Sequence, residues 1–235
     1  DLEVLGVAEE TTAEVVLFAL HPENPALRRH LSTGGRGVWL DDGVVVGGNA
    51  DSAVPILRVQ DIAFTLGGSL TFQVQNVLCA TALALCLGVP HGIIQRAVRR
   101  FLPDPHLLPG ACNLIDRRGA TIILDTSHHP WTLRQLIRGI RQQPHRRTVI
   151  VSHGFEDLSP DQTVEVGNLL GRLGGVVIIH GRVADGHLDL LKAGLIRNVM
   201  PPLIVTQPDE PAAIGERRVG KECDLGGRRI IKKKK

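Results

Sequence analysis

Aromatic residues make up 3% of the 235-residue sequence, and tyrosine is absent altogether. Proteins that hold single-stranded nucleic acid by stacking bases need such rings, so that class is disfavoured. No apolar run approaches the roughly 18 residues needed to cross a bilayer, and no membrane partner is expected. The four cysteines, Cys79, Cys86, Cys112 and Cys223, form no C-x-x-C pair. A disulfide framework is not expected for a chain of this size, which favours a reducing compartment and a cytoplasmic setting. Cys79 and Cys86 lie in an apolar helical pattern and read as core. The chain opens without methionine inside a polar stretch, and a piece of a longer protein is expected.

Lysine is scarce outside the C-terminus. The formal net charge is +3, but residues 216–235 carry nine basic and three acidic side chains, leaving residues 1–215 at −3. Only Lys192 of the six lysines belongs to the body, which otherwise uses arginine. The stretch from about residue 216, ending in Lys232–Lys235, resembles translated sequencing-adapter read-through closed by a poly-A run; a basic, disordered arm is the alternative. Either way the basicity is no argument for nucleic acid.

What is present is the composition of a globular protein, 43% hydrophobic and 22% charged. Asp41-Asp42-Gly43 between two apolar runs predicts a hairpin. The first sixty residues otherwise read as strands and turns, with a short amphipathic piece over 26–31. Residues 74–87, apolar almost all round, predict a buried helix stopped by Gly88-Val89-Pro90. A second helix follows, with Ile93, Ile94, Ala97, Val98 and Phe101 inward and Arg96, Arg99 and Arg100 outward. The Pro-rich stretch 103–110 reads as an interdomain linker. Beyond it, strand-like segments at 112–115, 120–124, 148–152, 176–180 and 203–206 alternate with helical ones after Pro130, at 160–173 and at 185–193. That alternation predicts βαβ units and a parallel sheet. Trp39 and Trp131 read as packing residues.

In open parallel sheets ligands bind beyond the carboxyl ends of strands. Asp125, Thr126, Ser127 and His128 lie at such a place, before a helix opened by Pro130. Asp125 and His128 can project there into a cleft, or the cluster can serve as a helix cap; spacing alone leaves both open. Gly215, Gly220 and Lys221 fit G-x-x-x-x-G-K, but Glu222 stands where the phosphate loop needs Ser or Thr for magnesium, so this match is discounted. His180 and His187 flank a turn with no third ligand nearby in the sequence, and no metal site is expected.

Several motifs in order carry a resemblance. They are Phe72-Gln73-Val74-Gln75-Asn76 opening an Ala-rich helix, then Gly88-Val89-Pro90, Pro109-Gly110, and Asp125-x-x-His128-x-Pro130. This set resembles the Mur ligases, ATP-dependent amide-forming enzymes, over residues 14–214. The stretches 16–25 and 62–68 look like the C-terminal Mur-like half of the cyanophycin synthetases. The resemblance implies an α/β fold. Residues 1–103 would be the end of a central ATPase domain, 104–214 a C-terminal Rossmann-like parallel-sheet domain, and 215–235 a non-native or disordered basic tail.

It also implies roles. Asn76 and Gln73, the latter in place of the first Asn of an Asn-x-x-Asn pair, would approach adenine. Asp125 would reach the ribose, and His128 would stand at the catalytic mouth. ATP and Mg²⁺ are implied for the intact enzyme, acting through an acyl phosphate on an amino-acid or peptide polymer, with a homo-oligomer expected.

Departures weaken the nucleotide reading. Ala111 stands where Arg usually follows Pro-Gly, and it cannot supply a guanidinium fork. Ser152–Asp157 replaces a Gly-Asp-Arg-type loop. The family's Gly-Lys-Thr loop precedes the matched region, so neither ATP nor Mg²⁺ is expected to bind this chain tightly. A degenerate, non-catalytic Mur-like scaffold, such as that of the paralogue polymerising β-aspartyl-arginine, and another Mur or folylpolyglutamate-type ligase are the alternatives.

Overall fold

The computed structural model describes residues 2–127, 129–153, 157–181, 186–207, 223–225 and 228–230. The chain divides into two compact units, Asp1–Thr126 and Ser127–Lys235. Both are mixed α/β, and the second is built on a parallel sheet.

The first unit begins with helix α1 (Leu2–Glu10), which the reading of strands and turns does not anticipate. Gly6 and the valines, poor helix formers, hide it. Strand β1 (Val16–Ala19), helix α2 (Pro25–Ser32) and strands β2 (Arg36–Asp41), β3 (Val44–Gly48) and β4 (Val54–Arg58) follow. Asn24 starts α2, its side chain accepting from the backbone N–H groups of Ala26 and Leu27 at 3.1 Å each, and Pro25 sits where its missing N–H costs nothing. The sheet order is β1-β2-β3-β4, with β1 and β2 parallel and the other pairs antiparallel. The expected Asp-Gly hairpin joins β2 to β3, with Asp42 at φ 45° and Gly43 at φ 73°, the positive values a two-residue turn needs.

Thr65 organises the next corner. It is fully buried, and its hydroxyl donates to the Ile62 carbonyl at 2.8 Å while accepting from Gly68 N–H at 3.0 Å. Helix α3 (Thr71–Cys86) then packs Val74, Val77, Leu78 and Ala82 against Val38, Val45 and Ile56 of the sheet. Here the expectation of a helix buried all round needs correcting. Leu83 and Leu87 are 62% and 82% exposed, and Cys86 is exposed rather than core. Only one face of α3 meets the sheet, so a uniformly apolar sequence overstates its burial. Helix α4 (His91–Arg100) inserts Ile94 into the same core. The unit closes with the antiparallel hairpin β5 (Asn113–Arg117) and β6 (Ala120–Leu124), turned by Arg118 and Gly119 at positive φ. Thus the hairpin and the stretch 103–110 fall in the first compact unit.

The second unit comprises α5 (Pro130–Arg141), β7 (Val149–His153), α6 (Pro160–Gly171), β8 (Val176–His180), α7 (His187–Leu195) and β9 (Leu203–Gln207). Strands β7, β8 and β9 form a parallel sheet in sequence order, as the alternation predicts. A capping box starts α6. Gln162 N–H donates to Ser159 Oγ at 3.3 Å, and Ser159 N–H donates back to Gln162 Oε1 at 3.0 Å. The core joins Leu133 and Ile137 of α5, Val166, Leu169 and Leu170 of α6, and Leu191 and Leu195 of α7 to Val177 and Ile179. Trp131, expected to pack, is instead 64% exposed on the first turn of α5. Strands β10 (Cys223–Leu225) and β11 (Arg228–Ile230) pair antiparallel.

Candidate functional site

The proline-rich stretch is held down by one side chain. Asn113, at the start of β5, is fully buried. Its amide donates to the carbonyls of Pro103 and Leu108 at 3.0 Å each, and its Oδ1 accepts from Gly110 N–H at 2.8 Å. Gly110 adopts φ 71°, and a Cβ there would collide with the Thr126 side chain, so glycine is required. Thr126 answers with its N–H and hydroxyl, both donating to the Gly110 carbonyl at 3.0 and 3.2 Å. The loop before β5 and the end of β6 are thereby locked side by side.

That lock brings three separate stretches together. Cys112, 1% exposed, follows Gly110 and Ala111. Gln73, on the first turn of α3 and 8% exposed, hydrogen-bonds through its side chain to the Cys112 sulfur. Asp125, just beyond β6, bears electrostatically on the same thiol. Burial first and the Asp125 charge second push Cys112 up to about 11, and the Gln73 hydrogen bond offsets part of this. Asn76 lies one turn along α3, where its Nδ2 donates to Gln73 Oε1 at 3.1 Å. Asn76 is exposed and Asp125 half-exposed. The Asn76 amide, bonded to the buried Gln73, and the Asp125 carboxylate, within electrostatic reach of the buried Cys112, are thus both at least partly open to solvent. The amide can donate to and accept from a heterocycle edge, and the carboxylate can accept from hydroxyls.

The structure thus joins Gln73, Asn76 and Asp125 around Cys112. His128 lies outside the described residues. The N-cap of α5 is His129, whose Nδ1 accepts from Trp131 N–H at 3.3 Å. Ala111 is exposed. Residues 154–156 of the Ser152–Asp157 stretch and residues 215–222 of the discounted G-x-x-x-x-G-K match lie outside the described residues. Lys192 sits in α7 of the second unit. Among the described residues no three His, Cys, Asp or Glu side chains gather as a metal set, and no helix is long and apolar enough to cross a membrane. A cavity of about 200 Å³ at the amino ends of β1 and β2 includes Arg36, Asn49, Ser52 and His91 but none of the residues around Cys112.

Two participants escape the sequence motifs. Cys112 reads as one more apolar strand residue. Asn113 does leave a signal: a polar residue inside an apolar strand must find buried partners.

No protein-family model matches the sequence. The cyanophycin synthetase of Trichormus variabilis is 25% identical over 179 residues, 76% of this chain and 20% of that protein. The UDP-N-acetylmuramoyl-L-alanyl-D-glutamate–2,6-diaminopimelate ligase of Brucella melitensis is 31% identical over 127 residues, 52% of this chain and 24% of that protein. The crystal structure of MurF from Acinetobacter baumannii matches with a TM-score of 0.51 at 16% identity, over 86% of this chain and 45% of that one, a likeness of fold. Fold and sequence together define a Mur-ligase-like chain. Within that class it stands close to the cyanophycin synthetases. The chain spans about a fifth to a quarter of the length of these curated relatives.

Proposed function

We propose that this chain is the nucleoside-facing part of an ATP-dependent amide ligase of the cyanophycin synthetase type. The observation that carries the reading is the convergence of Gln73, Asn76 and Asp125 around Cys112. The motifs that imply a nucleotide site lie some fifty residues apart in sequence, and they meet in one compact unit.

The residues fit the nucleoside. Asn76 spends one N–H on Gln73 and retains an acceptor and a second N–H, which complement the edge of adenine. The Asp125 carboxylate suits the paired hydroxyls of a ribose. The triphosphate is served less well, because Ala111 offers no cation where the resemblance leads one to expect an arginine. ATP with Mg²⁺, when bound, supplies the phosphoryl group that activates a carboxylate as an acyl phosphate, which an amine then displaces to give an amide or isopeptide. This chain's own part is to orient the nucleoside through Asn76 and Asp125, with Gln73 fixing the Asn76 amide. The substrate class is an amino acid or peptide polymer, in a cytoplasmic, homo-oligomeric enzyme.

A second reading, a Mur-like scaffold without catalysis, draws on the exposed Ala111 and on the inward engagement of Gln73. A third, another Mur or folylpolyglutamate-type ligase, draws on the Brucella relative. Amino-acid-dependent ADP release by a protein of the relatives' length containing this chain separates them. The ligase reading predicts turnover that Asp125→Ala lowers at least about tenfold, as losing a charge-assisted hydrogen bond does. No turnover by the folded protein supports the scaffold. Turnover with peptidoglycan or folate acceptors alone supports the third.

A further inference from the structure

His153 closes β7 and His180 closes β8, and the parallel register sets them directly opposite one another. Paired residues of neighbouring parallel strands point to the same face, with backbones about 4.8 Å apart. Alternation along the strands fixes which face. Val177 and Ile179 of β8, with Ile150 of β7, turn into the core formed with α5, α6 and α7. His153 and His180 therefore turn to the opposite face. Their rings stand edge to face, with centroids 6.3 Å apart and an interplanar angle of 77°. His153 is exposed and His180 half-exposed. The pair occupies the carboxyl edge of a parallel sheet, where α/β folds receive ligands.

Linear spacing suggests a different partner for His180, namely His187. The fold separates them by function, because the His187 Nε2 is engaged with the Leu158 carbonyl at 3.1 Å. Strand pairing supplies His153 instead, twenty-seven residues away in sequence.

We propose that His153 and His180 form a two-imidazole site for a borderline divalent transition cation of the zinc type, with water or a small ligand's carboxylate or amine completing the shell. Imidazole nitrogen suits zinc, copper and nickel better than hard cations. At a Zn–N distance of about 2.1 Å, two imidazoles on one tetrahedral ion bring their centroids to about 5 Å. Closing from 6.3 Å asks a rotation of two side chains that lie outside the core cluster. The parallel backbones hold both residues at the needed separation. With two protein ligands the site is open, of the kind that leaves positions for an exchangeable ligand rather than a closed structural centre.

Calorimetric titration of Zn²⁺ into the full chain tests this, run beside His153→Ala, His180→Ala and, as a control on an exposed histidine, His106→Ala. Unmodified chain and H106A should take up an equivalent at micromolar concentration that H153A and H180A both lack, with thermal unfolding of the variants unchanged. Should either variant fail to fold, imidazole nitrogen spectra of the unmodified chain decide: zinc must shift His153 and His180 together. Zinc uptake undiminished in H153A and H180A, or spectra in which these two rings stay put while zinc is added, overturns the proposal and leaves the pair as a ring contact.

Discussion

The side-chain amide of Asn76 donates to Gln73 Oε1 at 3.1 Å, which fixes which way the Asn76 amide faces. An unconstrained Asn presents oxygen or nitrogen by a simple flip. Here Nδ2 is turned toward α3's own first turn, and Gln73 is in turn held by burial and by Cys112. Replacing Gln73 by Leu keeps the volume but removes both hydrogen bonds. The expected outcome is a loss of about 1 kcal/mol in urea unfolding, with the Asn76 side-chain N–H₂ signals collapsing toward those of a freely exchanging amide.

Cys112 gives a pH signature. Its ordinary value of 9.0 is raised to about 11 in the folded chain, by burial first and Asp125 second. Above pH 9 the unfolded chain releases this proton while the folded chain keeps it. Stability from this group is therefore full below pH 9 and falls as the pH rises from about 9 to 11. Cys112→Ala should flatten that part of the stability curve. A companion measurement at pH 8 should find Cys86, which is exposed, labelled by a maleimide well before the buried Cys112.

Asn113 is the lock of the loop. Substituting Leu leaves two carbonyls and an N–H without their side-chain partner. A cost of about 2–3 kcal/mol in chemical unfolding is expected, together with faster hydrogen exchange at Gly110, whose N–H the side chain protects. Asn113→Asp should recover only the acceptor to Gly110 and stand between the two.

Helices α6 and α7 approach through glycine. A Cβ on Gly194 would strike the Val164 carbonyl, and one on Gly167 the Leu191 carbonyl. Gly194→Ala should cost about 1–3 kcal/mol through overpacking and lower the unfolding midpoint. Gly6→Ala is the opposite case, since Gly6 lies exposed within α1 and a Cβ added there would meet nothing within 4 Å. There the exchange should stabilise the helix by about 0.5–1 kcal/mol.

What the sequence made legible follows from how local each signal is. The parallel strands β7, β8 and β9 and the Asp42-Gly43 turn were readable because strand alternation and turn chemistry act over a few residues. Helix α1 was not, because its residues favour helix only weakly, and the exposure of Leu83, Cys86 and Leu87 was not, because a chain does not record which face finds a neighbour. At the site, Gln73, Asn76 and Asp125 stood out through motif order. Their meeting place, Cys112, did not, since nothing in a thiol between Ala111 and Asn113 distinguishes a junction from an ordinary core residue. The His153–His180 pair depends wholly on strand register.

The most direct measurement is a chemical-shift titration of the isotope-labelled chain with adenosine, and with guanosine as the control. The account predicts weak, saturable shifts centred on Asn76 and Asp125 with adenosine, smaller ones with guanosine, and their loss in Asn76→Ala and Asp125→Ala. Adenosine shifts that bypass both residues, or that persist unchanged in both variants, would contradict it.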